Sequence, residues 1–280
     1  MFFLQLRSEL WKLFGKKRTY LGFGVFLVAQ NLVLMGLYFS KWRNLTIRML
    51  DGNGFFGQEY ITALTVALIM LIPQIALLMP LYVTLIGGDI VAKEAEEGTL
   101  RMILARPISR TRLLLVKWIA GVIFAGTLVA SLGAMALFFA RLWFPWGGMF
   151  VFIPGPVRVF SVLTADVGFQ YYCIAHVYLV LNACTMLSLA FMFSCFNVKP
   201  AAATIVALSV LFVFTVMEQL PFFEDYKDFM VTYHLKSWVL VFARPIPWAQ
   251  MVESFCVLAG INVTVFIIGA THFNLRDIKS

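Results

Sequence analysis

Residues 61–88 read ITALTVALIMLIPQIALLMPLYVTLIGG, 28 positions without an Asp, Glu, Lys or Arg, closing against Asp89. A helix that crosses the hydrocarbon core of a bilayer needs about 20 predominantly apolar residues, so this run is long enough to span. Comparable charge-free runs lie on both sides of it. They cover 22 residues between Arg18 and Lys41, 23 from Trp118 to Ala140, 32 between Asp166 and Lys199, 18 between Lys199 and Glu218, and 22 between Glu253 and Arg276. These predict six transmembrane helices, at about 19–40, 61–88, 118–140, 171–196, 200–217 and 254–275. The composition agrees. Of 280 residues, 61% are hydrophobic and only 13% charged, against roughly 25% charged in an ordinary soluble domain. The mean hydropathy of +0.89 also excludes a disordered or fibrous chain. The expected fold class is all-α integral membrane.

Orientation follows from the basic residues, which accumulate in cytoplasmic flanks. With the N-terminus inside, Arg7, Lys12, Lys16, Lys17, Arg18, Lys93, Arg101, Arg106, Arg110, Arg112, Lys117, Lys199, Arg276 and Lys279 lie on the inner side, 14 of the 22 Lys and Arg. The 14 acids divide into 6 inside and 8 outside, so the net charge of +8 belongs to the inner face. Both termini are therefore expected in the cytoplasm of a multi-pass cell (inner) membrane protein. Such a face can meet anionic lipids or an acidic partner, and nothing points to nucleic acid.

The first 18 residues form a separate element. Phe3, Leu6, Leu10, Leu13 and Phe14 recur at helical spacing, with Arg7, Ser8, Glu9 and Lys12 between them and the Lys16-Lys17-Arg18 run behind. This pattern predicts an amphipathic helix in the membrane interface rather than a cleavable signal peptide, the alternative being a simple anchoring flank for the first span. The remainder, 19–280, reads as one six-span domain. Cys173, Cys184 and Cys195 are spaced by 11 residues, which puts the outer two about 33 Å apart along a helix, so they are expected to pack rather than to pair with one another.

Most of the inner-side charge is concentrated in the loop 89–117 between spans two and three. Lys93, Glu94, Glu96 and Glu97 extend the second span past the membrane, Gly98 can break it, and Thr99 can cap a short helix that Pro107 ends. Ser109 offers a cap for the third span, with Arg110, Arg112 and Lys117 near the headgroups. The short helix is expected to present Leu100, Ile103 and Leu104 on one side and Arg101 on the other. Two readings stay open, docking into a groove of a cytosolic partner and a charged linker that only obeys the positive-inside rule.

This loop resembles the signature of the type 2 ATP-binding-cassette (ABC) permeases. Glu96, Gly98, Thr99 and Leu100 fit E-x-G-T-L; Leu104, Pro107, Ser109 and Arg110 fit L-x-x-P-x-S-R; Leu113, Leu114 and Lys117 fit L-L-x-x-K, with Val116 where Gly is usual. The amphipathic N-terminus, the six spans and the closing Phe273-Asn274-Leu275-Arg276-Asp277-Ile278 extend the resemblance over almost the whole chain. It implies a type V exporter-like fold and the transmembrane subunit of an ABC exporter. The partners it implies are a separate ABC ATPase subunit and a second permease copy, identical or related. The coupling residues would be Glu94, Glu96, Glu97, Gly98, Thr99, Leu100, Ile103, Leu104, Pro107 and Arg110, with Glu96 and Glu97 facing basic residues of the ATPase.

A phosphate loop needs Gly, four residues, then Gly-Lys-Ser/Thr. The single Gly-Lys, Gly15-Lys16, has Leu10 and Lys17 at the other two positions. No cofactor is expected in this chain, ATP and Mg being bound by the partner subunit, and the chain is not expected to be an enzyme. Two rival functions remain: a non-transporting scaffold or sensor that recruits an ATPase, and an ion-driven secondary transporter, which typically shows inverted repeats. Within the spans, Gln30, Asn31, Gln74, His176, Asn182 and Asn262 are either interhelical glue or substrate contacts. His176 is expected to be solvated, and Pro73 and Pro80 to kink span two. Residues 141–166 read as an outer loop rich in Trp, Pro and Gly, and 221–253 either as a re-entrant or interfacial element or as a folded surface loop.

Overall fold

The computed structural model describes residues 2–105, 108–153 and 159–275. Six helices in it are long and apolar enough to cross a membrane, in the order expected. They are α2 (Lys17–Phe39), the composite Ala63–Glu96, α7 (Arg110–Trp143), α8 (Ala165–Ser194), α9 (Pro200–Met217) and α11 (Trp248–Leu275). Several exceed their charge-free runs because helix continues into the polar flanks. The composite span and α7 each have 34 residues, about 51 Å of helix against a hydrocarbon core of about 30 Å.

The composite span consists of α4 (Ala63–Pro73), a π turn (Gln74–Leu78) and α5 (Met79–Glu96). Pro73 has no N–H to give and Pro80 falls at the start of α5, so the interruption coincides with the two expected breakers. At the centre of the bundle, α8 packs against α5, α7, α9 and α11. Its approach to α5 depends on Gly87, where a Cβ would lie 2.5 Å from the Leu187 carbonyl oxygen, an instance of small residues allowing close backbone contact in membrane bundles.

At one end of the bundle lie α1 (Phe2–Phe14) and the short α6 (Thr99–Leu104). At the opposite end the chain is more elaborate than expected. The first connection carries α3 (Trp42–Gly52). The 141–166 connection holds an antiparallel hairpin, β1 (Met149–Ile153) with β2 (Val159–Leu163), in register Met149 with Leu163. This hairpin is seated on the start of α4: Thr62 donates its hydroxyl to Gly148 O at 2.7 Å, and Phe150 N–H donates to Thr65 Oγ1 at 2.9 Å.

Residues 221–253 divide in two, an exposed Pro221–Phe229 and a buried part behind it. After a 3-10 stretch (Pro221–Phe229) and α10 (Val231–Leu235), every residue of a second 3-10 turn, Ser237–Phe242, is buried against α8, α11 and β2. Asn182 Nδ2 donates to Leu235 O at 2.6 Å, tying the insertion to α8. The chain therefore dips back into the bundle there.

Candidate functional site

The end of the bundle that carries the basic residues is organised around one buried cation. Lys117, in the first third of α7, is only 1% exposed. Its Nζ lies 2.8 Å from Glu9 Oε2 on α1 and 2.8 Å from Glu94 Oε2 near the end of α5. Lys12, one turn along α1, closes the ring, with Nζ 2.7 Å from Glu9 Oε1 and 3.0 Å from Glu94 Oε1. Two cations and two anions alternate, so the buried charges cancel as they must in a low-dielectric site. A second tie joins Arg18, at the start of α2, to Asp89 on α5. Four segments are thus held together by charge: α1, the start of span one, the base of span two and the base of span three.

This arrangement changes the reading of α1. Its apolar stripe, Leu6, Leu10, Leu13 and Phe14, packs on the protein's own core and chiefly on α7. Phe3, Leu4 and Trp11 are left on the exposed side. Likewise Lys117 is not a headgroup anchor. It faces inward because an aliphatic stem four carbons long can run through apolar packing only if its ammonium meets carboxylates at the end.

Burial alone would raise the Glu9 carboxyl, but the charges and hydrogen bonds of Lys117 and Lys12 outweigh it and leave Glu9 below its usual value. For Lys12, burial lowers the ammonium, and Glu9 with Glu94 more than reverse this. A depressed carboxylate contributes stability that is present above its unfolded pKa, 4.5 for Glu, and is lost as pH falls through the folded value. A raised ammonium contributes stability below 10.5 that is lost as pH rises beyond it. The attachment of α1 should therefore be flat between about pH 6 and 9 and weaken in acid and again in strong base. The unfolding midpoint of the parent relative to that of Glu9→Gln, followed across this range, measures it; a difference that varies strongly between pH 6 and 9 would contradict the assignment.

The coupling residues expected from the sequence lie beside this ring, with some corrections. Gly98 does break the helix, at φ +74, a left-handed conformation that costs glycine nothing. Thr99 does not cap α6 with its side chain; Thr99 Oγ1 donates backward to Glu94 O at 3.2 Å. Ser109 occupies the N-cap position of α7 without a side-chain capping bond. Pro107 lies outside the described residues.

The expected exposed face of α6 is reversed. Leu100 is 2% exposed and belongs to the core, and Ile103 and Leu104 are half-buried against it. Met102, 68% exposed, Arg101 and Ala105 face outward instead. Of the acids, Glu96 and Glu97 are exposed, and Glu94 is taken up by the ring. Arg110 Nη1 donates to Asn274 O at 3.2 Å, and Asn274 Nδ2 donates to Thr111 Oγ1 at 3.0 Å, so the end of α11 braces the start of α7. Between α1, the end of α5 and α6 opens a cleft of about 460 Å3, bordered by Trp11, Lys16, Lys93, Glu97 and Ile103.

With this geometry in place the comparison with known families is informative. Residues 16–230 match the family described as ABC-2 family transporter protein. The chain belongs to this family. It is accordingly a multi-pass permease subunit of an ABC transporter, a family whose members work with an ABC ATPase in a lipid membrane. No curated protein matches the sequence.

One group of polar residues inside the permease pairs among its own members. Trp118 Nε1 donates to Ser188 Oγ at 2.9 Å, Ser188 Oγ to Asn262 Oδ1 at 2.6 Å, and Asn262 Nδ2 to Thr185 Oγ1 at 2.7 Å. These join α7, α8 and α11 as neutral glue, worth about 0.6 kcal/mol per bond on average. His176 is half-buried rather than solvated: its Nδ1 donates to Tyr172 O at 2.7 Å and its ring lies against Gly133.

Proposed function

We propose that this permease exports a substrate using ATP hydrolysed, with Mg, by a separate nucleotide-binding subunit that docks on the outward face of α6. The observation that carries the reading is the pairing of that exposed face with a base immobilised by buried charge. An element that receives a push must not yield locally. Here the Glu9, Lys12, Glu94 and Lys117 ring fastens α1 and α5 to α7, immediately before the Gly98 break and α6. Displacement of α6 is then passed to spans two and three together. Glu96 and Glu97, exposed at the end of α5, are available to basic residues of the ATPase. The chain contributes no phosphate loop and performs no hydrolysis itself, and it works as a dimer of identical or related permeases.

The energy source is tested by purifying the chain with and without a candidate ABC ATPase subunit. Hydrolysis is expected only from the pair. Turnover by the isolated permease above that of a mock preparation would refute the division of labour, and a stable pair that hydrolyses ATP without moving any cargo would favour a scaffold or sensor.

In our reading the ring-bearing end, with both termini, faces the cytoplasm of the cell (inner) membrane. Glu97→Cys on one end and Phe56→Cys on the other are suitable probes, since both positions are exposed. With the four free native cysteines replaced by Ser, a membrane-impermeant maleimide added to intact cells should label Phe56→Cys alone. Labelling of Glu97→Cys under the same conditions overturns the orientation.

A further inference from the structure

The interruption of span two coincides with an unmet demand for hydrogen bonds. Gln74 opens the π turn and is 1% exposed, yet neither its Nε2 nor its Oε1 has a partner among the described residues. On α2, Gln30 is 0% exposed; its Nε2 donates to Leu132 O at 3.0 Å, but its Oε1 is unpaired. The two amides stand on elements that pack against each other. Tyr82 Oη donates to Thr19 O at 3.0 Å and its ring fills the space beside Gly22, which sets α2 and the composite span antiparallel. Gln30 stands eight residues after Gly22 and Gln74 eight residues before Tyr82, at the same depth to within about one helical turn. The π turn itself packs on α2.

A primary amide buried without partners costs roughly 1–3 kcal/mol in proteins. Two buried glutamines at one depth, three of their four hydrogen-bonding atoms unpaired among the described residues, therefore mark a site whose partner is not protein. The chemistry required is small, able to donate to two amide oxygens and to accept from one amide N–H. Water meets it, and buried waters commonly make about three such bonds. The local backbone adds to the demand, because Pro73 deprives the Ile69 carbonyl of its usual donor, and π turns and prolines in membrane helices are resolved by exactly such polar insertions, waters among them.

We propose that Gln30 and Gln74 hold a buried hydration site at the joint of span two. Water there satisfies the amides and the interrupted backbone together and lets α4 and α5 change their mutual angle without leaving polar groups bare. The assignment does not depend on the ATPase reading.

Radiolytic hydroxyl labelling in H2 18O tests it with the full-length permease in lipid nanodiscs. Met70 and Met79 flank Gln74 on the same span and are fully buried, as is Met251 far along the chain. Water bound at the joint should place 18O on Met70 or Met79 well above Met251, and Gln74→Leu or Gln30→Leu should reduce that labelling to the level of Met251. Equal labelling of all three methionines in the parent overturns the proposal, as does labelling that persists in both variants. The unfolding midpoint gives a second reading on the same variants. A hydrated joint predicts that Gln74→Leu lowers it or leaves it unchanged, whereas a clear rise would show the amides to be unpaired in the folded protein and would overturn the site.

Discussion

Replacing Lys117 by Met should destabilise the permease by about 3–5 kcal/mol, the usual cost of removing one partner from a buried ion pair. The side chain that remains is of similar length and fills the same space, so the loss is electrostatic. Glu9 and Glu94 are left facing one another with Lys12 as their common counter-charge. Lys12 is itself 42% exposed and partly screened by solvent, and Lys12→Met should cost no more than about 1 kcal/mol. Because the four groups share one site, their effects are not additive. Adding Glu9→Gln and Glu94→Gln to Lys117→Met should recover a large part of the loss, since neutral amides no longer repel. Thermal unfolding of detergent-purified variants, followed by size exclusion, measures all three. A Lys117→Met variant as stable as the parent, or a triple variant worse than the single one, would contradict the ring.

The spans were legible in the sequence because apolar length is a one-dimensional property: Ile61 to Gly88 can be counted without knowing what surrounds them. The coupling loop was legible for a different reason, a spaced set of residue types from Glu96 to Lys117. What surrounds each residue was not. Lys117 counted as one more basic flank, since its carboxylates lie 108 positions away on α1 and on the far side of α6 on α5. The face of α6 could not be chosen either. In a helix of six residues, Leu100, Ile103 and Leu104 make an apolar side whether they face a partner or the protein's own core, and only the packing of α6 under α5 decides it.

The hairpin was missed through competing signals. Met149 to Ile153 and Val159 to Leu163 carry the β-branched and aromatic residues of strands, but Trp, Pro and Gly around them favoured an irregular loop. The fate of Ser237–Phe242 was likewise undecided by composition, because an apolar run of that size fits a buried turn as well as an interfacial one. In each case the unread part is a tertiary choice, made by neighbours distant in the chain.

The orientation of α6 yields the sharpest test of ATPase docking. Leu100 is buried in the permease, so Leu100→Asp places a charge in apolar packing at a cost of several kcal/mol and should lower the yield of folded permease before any partner is considered. Met102 stands outward, where a charge is solvated in the free subunit, so Met102→Glu should leave yield and unfolding midpoint close to the parent. If the ATPase seats on this face, the same glutamate is desolvated against apolar groove atoms on association, and binding should fall by roughly one order of magnitude for each 1.4 kcal/mol of that penalty. The deciding measurement is co-purification of the ATPase with folded, monodisperse Met102→Glu permease: the docking assignment predicts that the ATPase is largely lost, and recovery of the ATPase at the parent's stoichiometry would show that α6 does not carry the contact.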